Sequence, residues 1–224
     1  MSGSFFSQAQ RVGRSLMLPV ATLPAAGLML GIGNFGAQGH LFLPPSFWSV
    51  LMVSGDWIFG NMPLLFLIGI AIGLARNNDG TAALAAVVGF ITMNAALGKT
   101  VVLRGLETNT EVLSIPTLNM GILGSILMGS LAAYFFNRFH TLKLPEYLGF
   151  FAGKRFVPII TGFSGIFLGV MLGFIWPVVG SAIFEFTAYL GTLNKSVTFG
   201  LYGLVERALI PTGLHHIWNA FFFN

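Results

Sequence analysis

The 224-residue sequence contains 55% hydrophobic and only 8% charged residues, with a net charge of +4 and a mean hydropathy of +0.82. Soluble domains carry about 25% charged residues, so these side chains cannot cover a water-soluble globule. The sequence therefore predicts an all-α integral membrane protein. No basic run is interleaved with aromatic residues, which argues against nucleic acid as a partner. Cysteine is absent, which excludes a disulfide, a thiolate nucleophile and a cysteine metal site within these residues.

Apolar segments recur along the chain, and a membrane-spanning helix needs about 20 such residues. We predict five clear transmembrane helices and a sixth, later segment, at approximately residues 16–35, 57–75, 81–97, 118–136, 156–183 and 197–210. The first contains Pro19 and Pro24, which predict a kinked or broken helix packed against neighbours. The fifth is unusually long, and we expect it to tilt or break at Pro177.

The connections between these segments differ in polarity. We predict an external connection at 37–55, with room for a short interfacial helix, a polar solvent loop at 99–117 and a short connection at 185–195. Asp79, in the turn before the third segment, is predicted to cap that helix. Small residues predict a close-packing face on the same helix: Ala82, Ala85, Ala86 and Gly89.

The basic residues predict the orientation in the membrane. One side holds Arg11, Arg14, Arg76, Arg138, Lys143, Lys154 and Arg155, whereas the other holds Lys99, Arg104 and Lys195. The excess of positive charge marks the cytoplasmic side, so we place the N-terminus in the cytoplasm. The basic stretch 138–155 is then a positive-inside anchor, or a surface that meets anionic lipid or an acidic partner.

Polar residues concentrate near the end of the sequence. Glu206 and Arg207 lie in apolar surroundings, and Pro211 precedes His215, His216 and Asn219. Ionisable groups are costly in a membrane segment, so this cluster predicts a functional site. A helix broken near Pro211 and Gly213 would suit a binding cavity, because irregular backbone at membrane depth is tolerated where it lines one.

Several motifs identify a family resemblance. They are Gly13–Val20, Asn77–Gly80 with Ala82–Ala85, Lys143–Ile159, Glu206–Arg207 and Gly213–Asn219. Together they resemble the membrane permease, the enzyme IIC domain, of the bacterial phosphotransferase system in its glucose superfamily. The sequences of the motifs Gly149–Arg155 and His215–Asn219 look most like those of the glucose branch, with the N-acetylglucosamine and the maltose or glucoside branches as alternatives.

The resemblance implies a homodimeric permease of the bacterial inner membrane that translocates sugar coupled to phosphorylation by a B component. It implies that residues 1–183 form a scaffold and dimerisation domain, with a cytoplasmic connection at 138–155, and that 184–224 begin the transport domain. We expect only the N-terminal portion here, because the family's Gly-Ile-Thr-Glu-Pro-like segment and the B domain are not in the sequence. With no cysteine, this chain cannot itself carry the family's phosphocysteine.

The resemblance also assigns the site. Sugar contact falls on Arg207 and His215, with His216 and Asn219 nearby and Glu206 as support. These groups supply the fixed donors and acceptors that a hydroxyl-rich hexose needs. Alternatives are an internal salt bridge between Glu206 and Arg207, or a histidine acting as general base. We predict no catalytic residue, metal or cofactor, since two adjacent histidines lack a third ligand.

Two alternatives from other functional classes remain open. The chain could be a truncated oligomerisation scaffold that binds no sugar, or a channel or facilitator that works without phosphorylation. Sugar binding separates the first alternative from a permease, and dependence on the phosphate donor separates the second.

Overall fold

A computed structural model describes residues 13, 15–40, 42–192, 200, 203, 204 and 207. Within these residues the helices are α1 (Met17–Phe35), α2 (Pro45–Gly60), α3 (Met62–Leu74), α4 (Gly80–Leu103), α5 (Gly121–Phe139) and α6 (Phe156–Thr192). A hairpin of β1 (Thr110–Val112) and β2 (Ile115–Thr117) joins α4 to α5. Four helices are long and apolar enough to cross a membrane, or five if α2 and α3 form one bent span. The predicted all-α membrane fold is confirmed.

The chain between α1 and α2 corrects the predicted connection at 37–55. A π-helical turn, Gly36–His40, ends in the left-handed region at Gly39 (φ 83°), and Pro45 begins a 16-residue helix. The predicted helix at 57–75 is likewise wrong in its bounds, because the chain bends by 54° between Gly60 and Met62. An apolar count cannot locate this break, since the residues on both sides of it are mainly apolar. Pro24, in contrast, lies within an uninterrupted α1.

Helix α4 lies at the centre of the described fold. Its predicted small-residue face is buried: Ala82, Ala85 and Ala86 are fully inaccessible, and Gly89 is buried too. The larger side chains of Met93 and Leu97 continue the buried part of α4. The same core cluster includes Leu67 of α3, Met128 and Phe136 of α5, and Val157 of α6. The close-packing prediction for α4 is therefore confirmed.

Helix α6 approaches α4 along a row of glycines spaced four residues apart. A Cβ at Gly165, Gly169 or Gly173 would collide with α4 atoms of Gly89, Met93 and Thr100. The hydroxyl of Thr92 donates to the carbonyl of Gly162 across the same interface, at 2.9 Å. Small residues at this spacing let two membrane helices pack backbone to backbone.

Three further predictions about the later part of the chain need correction. Of the predicted tilt or break at Pro177, the break does not occur, because α6 continues through this residue. The helix extends to Thr192, so residues 185–192 are helical and not a connection. The predicted solvent loop at 99–117 is also partly ordered: α4 includes Lys99, and Thr117 of the hairpin is fully buried. The hairpin has room on α4 because a Cβ at Gly98 would overlap the carbonyl of Pro116.

Candidate functional site

Most of the predicted sugar site falls outside the described residues. Glu206, His215, His216 and Asn219 are among the positions that the structure does not describe. Arg207 is described, and it is helical and exposed. The assignment of these five residues therefore stays a prediction. Two groups of polar and charged contacts that the structure does place lie at opposite ends of the helix bundle.

One end, here called the linker end, joins the turn after α3 to the end of α5. Asn137 accepts from the backbone N–H of Arg76 at 2.7 Å and donates to the carbonyl of Leu74 at 3.0 Å. The turn itself uses the left-handed region at Asn77 and Asn78, with φ of 59° and 51°. Asparagine tolerates this conformation better than most residues, so this part of the family-like motif has a structural reason.

Asp79 caps α4, as predicted, and also pairs with the chain before α6. Its carboxylate accepts from the backbone N–H of Thr81 at 2.9 Å and from the ammonium of Lys154 at 2.5 Å. The hydrogen bond from Lys154, followed by those from Thr81, lowers the pKa of Asp79 from 3.8 to about 2. The carboxylate is therefore ionised at neutral pH, and the pair ties the α3–α4 turn to the 3-10 turn that precedes α6.

The predicted basic connection between α5 and α6 consists of two short 3-10 turns, Glu146–Phe151 and Gly153–Arg155. Gly153 adopts φ 64° and donates its N–H to the carbonyl of Leu142 at 2.9 Å, which folds the connection back on itself. The guanidinium of Arg155 lies 4.7 Å from the ring centre of Phe150 and donates to that residue's carbonyl at 3.2 Å. Exposed aromatic and cationic side chains therefore adjoin at this end.

The other end, here called the hairpin end, holds an arginine that sequence reasoning counted only as a loop charge. Arg104, at the end of α4, donates from Nη1 to the carbonyl of Gly173 in α6 at 2.7 Å. Its guanidinium also lies 4.9 Å from the ring centre of Phe174. Trp176 of α6 donates from Nε1 to the carbonyl of Asn119 at 3.1 Å. The glycine spacing of α6 signalled this interface in the sequence, but nothing local pointed to Arg104.

Metal chemistry finds no support in the described part of the chain, where no three His, Cys, Asp or Glu side chains come together as ligands. The buried polar side chains there mostly satisfy the backbone of a helix. Asn94 donates to the carbonyl of Phe90 at 2.8 Å, and Thr161 donates to that of Val157 at 2.7 Å. Such hydrogen bonds within one helix are consistent with a structural role in helix packing.

The long apolar helices and the glycine-mediated packing between them define a multi-pass all-α membrane protein. A comparison with protein-family models gives the family. Residues 13–224 match the model of Phosphotransferase system, EIIC, so the chain belongs to the EIIC permeases of the phosphotransferase system. It is a membrane component for sugar uptake, and its partners are a sugar and a B component of that system.

Proposed function

We propose that this permease translocates glucose and that Arg207, His215, His216 and Asn219 contact the sugar, with Glu206 orienting Arg207. The observation that carries the proposal is the similarity of the motifs Gly149–Arg155 and His215–Asn219 to the glucose branch, in a chain that belongs to the EIIC family. Guanidinium, imidazole and carboxamide groups match a neutral ligand that presents hydroxyls as both donors and acceptors.

We further propose a division of labour along the chain. Residues 1–183 serve as scaffold, and residues 184–224 belong to the part that carries sugar. Support comes from the fold around α4, in which one face of α6 is buried as far as Trp176, whereas the described side chains beyond Pro177 are exposed or only partly buried. Helix α6 runs through position 183 without interruption, so the two parts share one helix.

The orientation proposal places the linker end in the cytoplasm of a bacterial cell, with the permease in the inner membrane. The contacts of Arg76 with Asn137 and of Lys154 with Asp79 bring several basic residues to this one end, and an excess of positive charge marks the cytoplasmic side. In right-side-out vesicles, an impermeant maleimide should label a cysteine placed at Glu107 and spare one placed at Lys143. The reverse pattern would overturn the orientation.

We also propose that the permease works as a homodimer. Apolar side chains remain exposed along α6, among them Phe163 and Phe167 at 71% each, and such a face must meet lipid or a second copy. The mass of the protein in lipid nanodiscs distinguishes the two, because a single-copy mass at dilute protein would contradict the dimer.

The central experiment measures phosphorylation-coupled sugar uptake in proteoliposomes that contain the permease, a B component and its phosphate donor. Glucose should be taken up and should outcompete N-acetylglucosamine and maltose. Arg207→Ala and His215→Ala should each lower uptake at least about tenfold, since a lost hydrogen bond to a charged group costs about 1.5–3 kcal/mol. His140→Ala is a matched control, because His140 only stacks on Phe136 and contacts its carbonyl at the linker end.

Each outcome of this experiment bears on a separate proposal. Preferential uptake of N-acetylglucosamine or maltose would replace the glucose assignment and leave the site in place. Unchanged uptake and affinity in both variants would refute the site assignment. Uptake that persists without the phosphate donor would favour the facilitator alternative.

A further inference from the structure

Helix α6 contains Pro177 in its interior, where a proline ordinarily kinks a helix. Pro177 has no backbone N–H, so the carbonyl of Gly173, four residues earlier, lacks its normal donor within the helix. An unpaired carbonyl inside a membrane is costly, because no water is present to replace the missing bond. Helix α6 nevertheless continues for 15 residues beyond Pro177, to Thr192.

The missing donor comes from another helix. Nη1 of Arg104 lies 2.7 Å from the carbonyl oxygen of Gly173 and 3.4 Å from that of Phe174. The arginine is itself held in place, because its own backbone N–H donates to the carbonyls of Thr100 and Val101 at 3.1 Å each. Its guanidinium thus repairs the gap that the proline leaves and packs on the ring of Phe174.

This repair lies at a boundary in the packing of α6. Leu172 and Trp176, which belong to the core, are 7% and 8% exposed, whereas Val179, three residues beyond Trp176 on the same face, is 36% exposed. This face of α6 is therefore less covered by its neighbours beyond Pro177 than before it. The direction of the distal part, residues 177–192, depends on whether the backbone bends at the proline.

We propose that Arg104 is a positioning residue for sugar transport: it replaces the donor that Pro177 lacks and thereby fixes the direction of residues 177–192. From there the chain continues to Arg207 and His215, so the link to transport rests on the proposed sugar site. The effect on the helix itself does not depend on that site.

The first experiment measures the shape of α6 with nitroxide spin labels. The sequence has no cysteine, so labels can be attached to cysteines introduced at the exposed positions Phe163 and Glu185. These positions are separated by about 33 Å along a straight helix at about 1.5 Å per residue. The native protein should give one narrow distance distribution by pulsed electron spin resonance.

The variants form a double-mutant cycle. Arg104→Ala should broaden the distribution toward shorter distances, and adding Pro177→Ala should narrow it again, because alanine restores the N–H within the helix. Lys99→Ala removes another exposed positive charge from α4 and should leave the distribution narrow. An unchanged distribution in Arg104→Ala, or one that stays broad after Pro177→Ala, would overturn the proposal.

The second experiment measures uptake in the reconstituted permease. Arg104→Ala should lower the maximal rate about tenfold with little change in KM, because the hydrogen bond that holds residues 177–192 in line is lost while the sugar contacts remain. Arg104→Lys should recover part of the rate, and Arg104→Ala with Pro177→Ala most of it. A monodisperse size-exclusion profile checks that each variant is folded.

The two experiments separate this proposal from the proposed function. If glucose is the wrong sugar, the native protein fails to take it up before any variant is compared, and the distance measurements still stand. If the distances change while the maximal rate of Arg104→Ala equals that of the native protein, the role of Arg104 in transport is refuted.

Discussion

Two places in this bundle where proline lies in an apolar segment have opposite outcomes. Near Pro63 the chain bends by 54° between α2 and α3, whereas at Pro177 the helix α6 continues. Beside the bend, Asn61 donates its carboxamide to the carbonyl of Trp57 in its own helix, at 2.8 Å. At Pro177 the donor is Arg104 of another helix. In these two cases the bend lies beside a bond within one helix, and the continuous helix receives its donor from a neighbouring helix.

The largest effect is expected for a variant that disrupts the close glycine contact between α4 and α6. Gly169→Ala places a Cβ against the carbonyl of Met93, so the helices must separate and Arg104 loses its reach. We expect a loss of about 1–3 kcal/mol of stability, as overpacking of interiors typically costs. Thermal unfolding in detergent measures the loss.

Gly180→Ala is the matched control for that variant. It makes the same substitution on the same helix, and its Cβ would lie 3.6 Å from Nε1 of Trp176, an ordinary contact. Because alanine favours helix over glycine, this variant should be as stable as the native protein or slightly more so. An equal loss in both variants would show that the α4–α6 interface is not the cause.

A smaller effect is expected at the bend. Asn61→Ala removes the local bond to Trp57 and should cost about 1 kcal/mol, the usual net value of one hydrogen bond. Spin labels at Val53 and Arg76 should then report a wider range of bend angles. Ser54→Ala is the control, because Ser54 makes a similar bond to Val50 within α2, away from the bend. A distance distribution as narrow as that of the native protein would show that Asn61 does not fix the bend.

The smallest effect is expected at the near end of α6, where Lys154 pairs with Asp79. Asp79→Asn keeps a helix cap and removes only the charge, so the loss of stability should be slight and should diminish in salt. Glu107→Gln, which removes an exposed carboxylate at the hairpin end, is the control.

The same pair makes a pH prediction whose sign follows from its pKa. The folded pKa of Asp79 is lowered to about 2, so its stabilising contribution is fully present above the ordinary value of 3.8. The contribution disappears as the pH falls through about 2. The difference in melting temperature between native protein and Asp79→Asn should follow that course, and a difference that vanishes already near neutral pH would contradict it.

The sequence predicts the parts of this fold that depend on neighbours in the chain. Asp79 caps α4 because a short carboxylate in a turn satisfies the helix's first N–H groups, and the small residues of α4 are buried because their spacing matches one helix face. Both features follow from local chemistry, and both predictions are confirmed.

The wrong predictions concern features whose cause is distant in sequence. The sequence predicts a tilt or break at Pro177, and the break is absent because Arg104, 69 residues away in the sequence, donates to the carbonyl of Gly173. Nothing near Pro177 in the sequence indicates this donor. The sequence predicts a connection at 185–195, between Glu185 and Lys195. Helix α6 nevertheless extends to Thr192, because a charged residue does not by itself end a helix. The assignment of the sugar site rests on the resemblance of its motifs, and four of its five residues, Glu206, His215, His216 and Asn219, lie outside the described residues.

The length of α6 makes the permease sensitive to bilayer thickness. Its 37 residues extend about 55 Å at about 1.5 Å per residue, whereas the hydrocarbon core of a bilayer is about 30 Å thick. The helix must therefore lean or extend into the headgroup layer, and the choice between these costs fractions of a kcal/mol per ångström of mismatch. Lipids with shorter or longer acyl chains would thus act on the same distal residues, 177–192, that Arg104 holds in line.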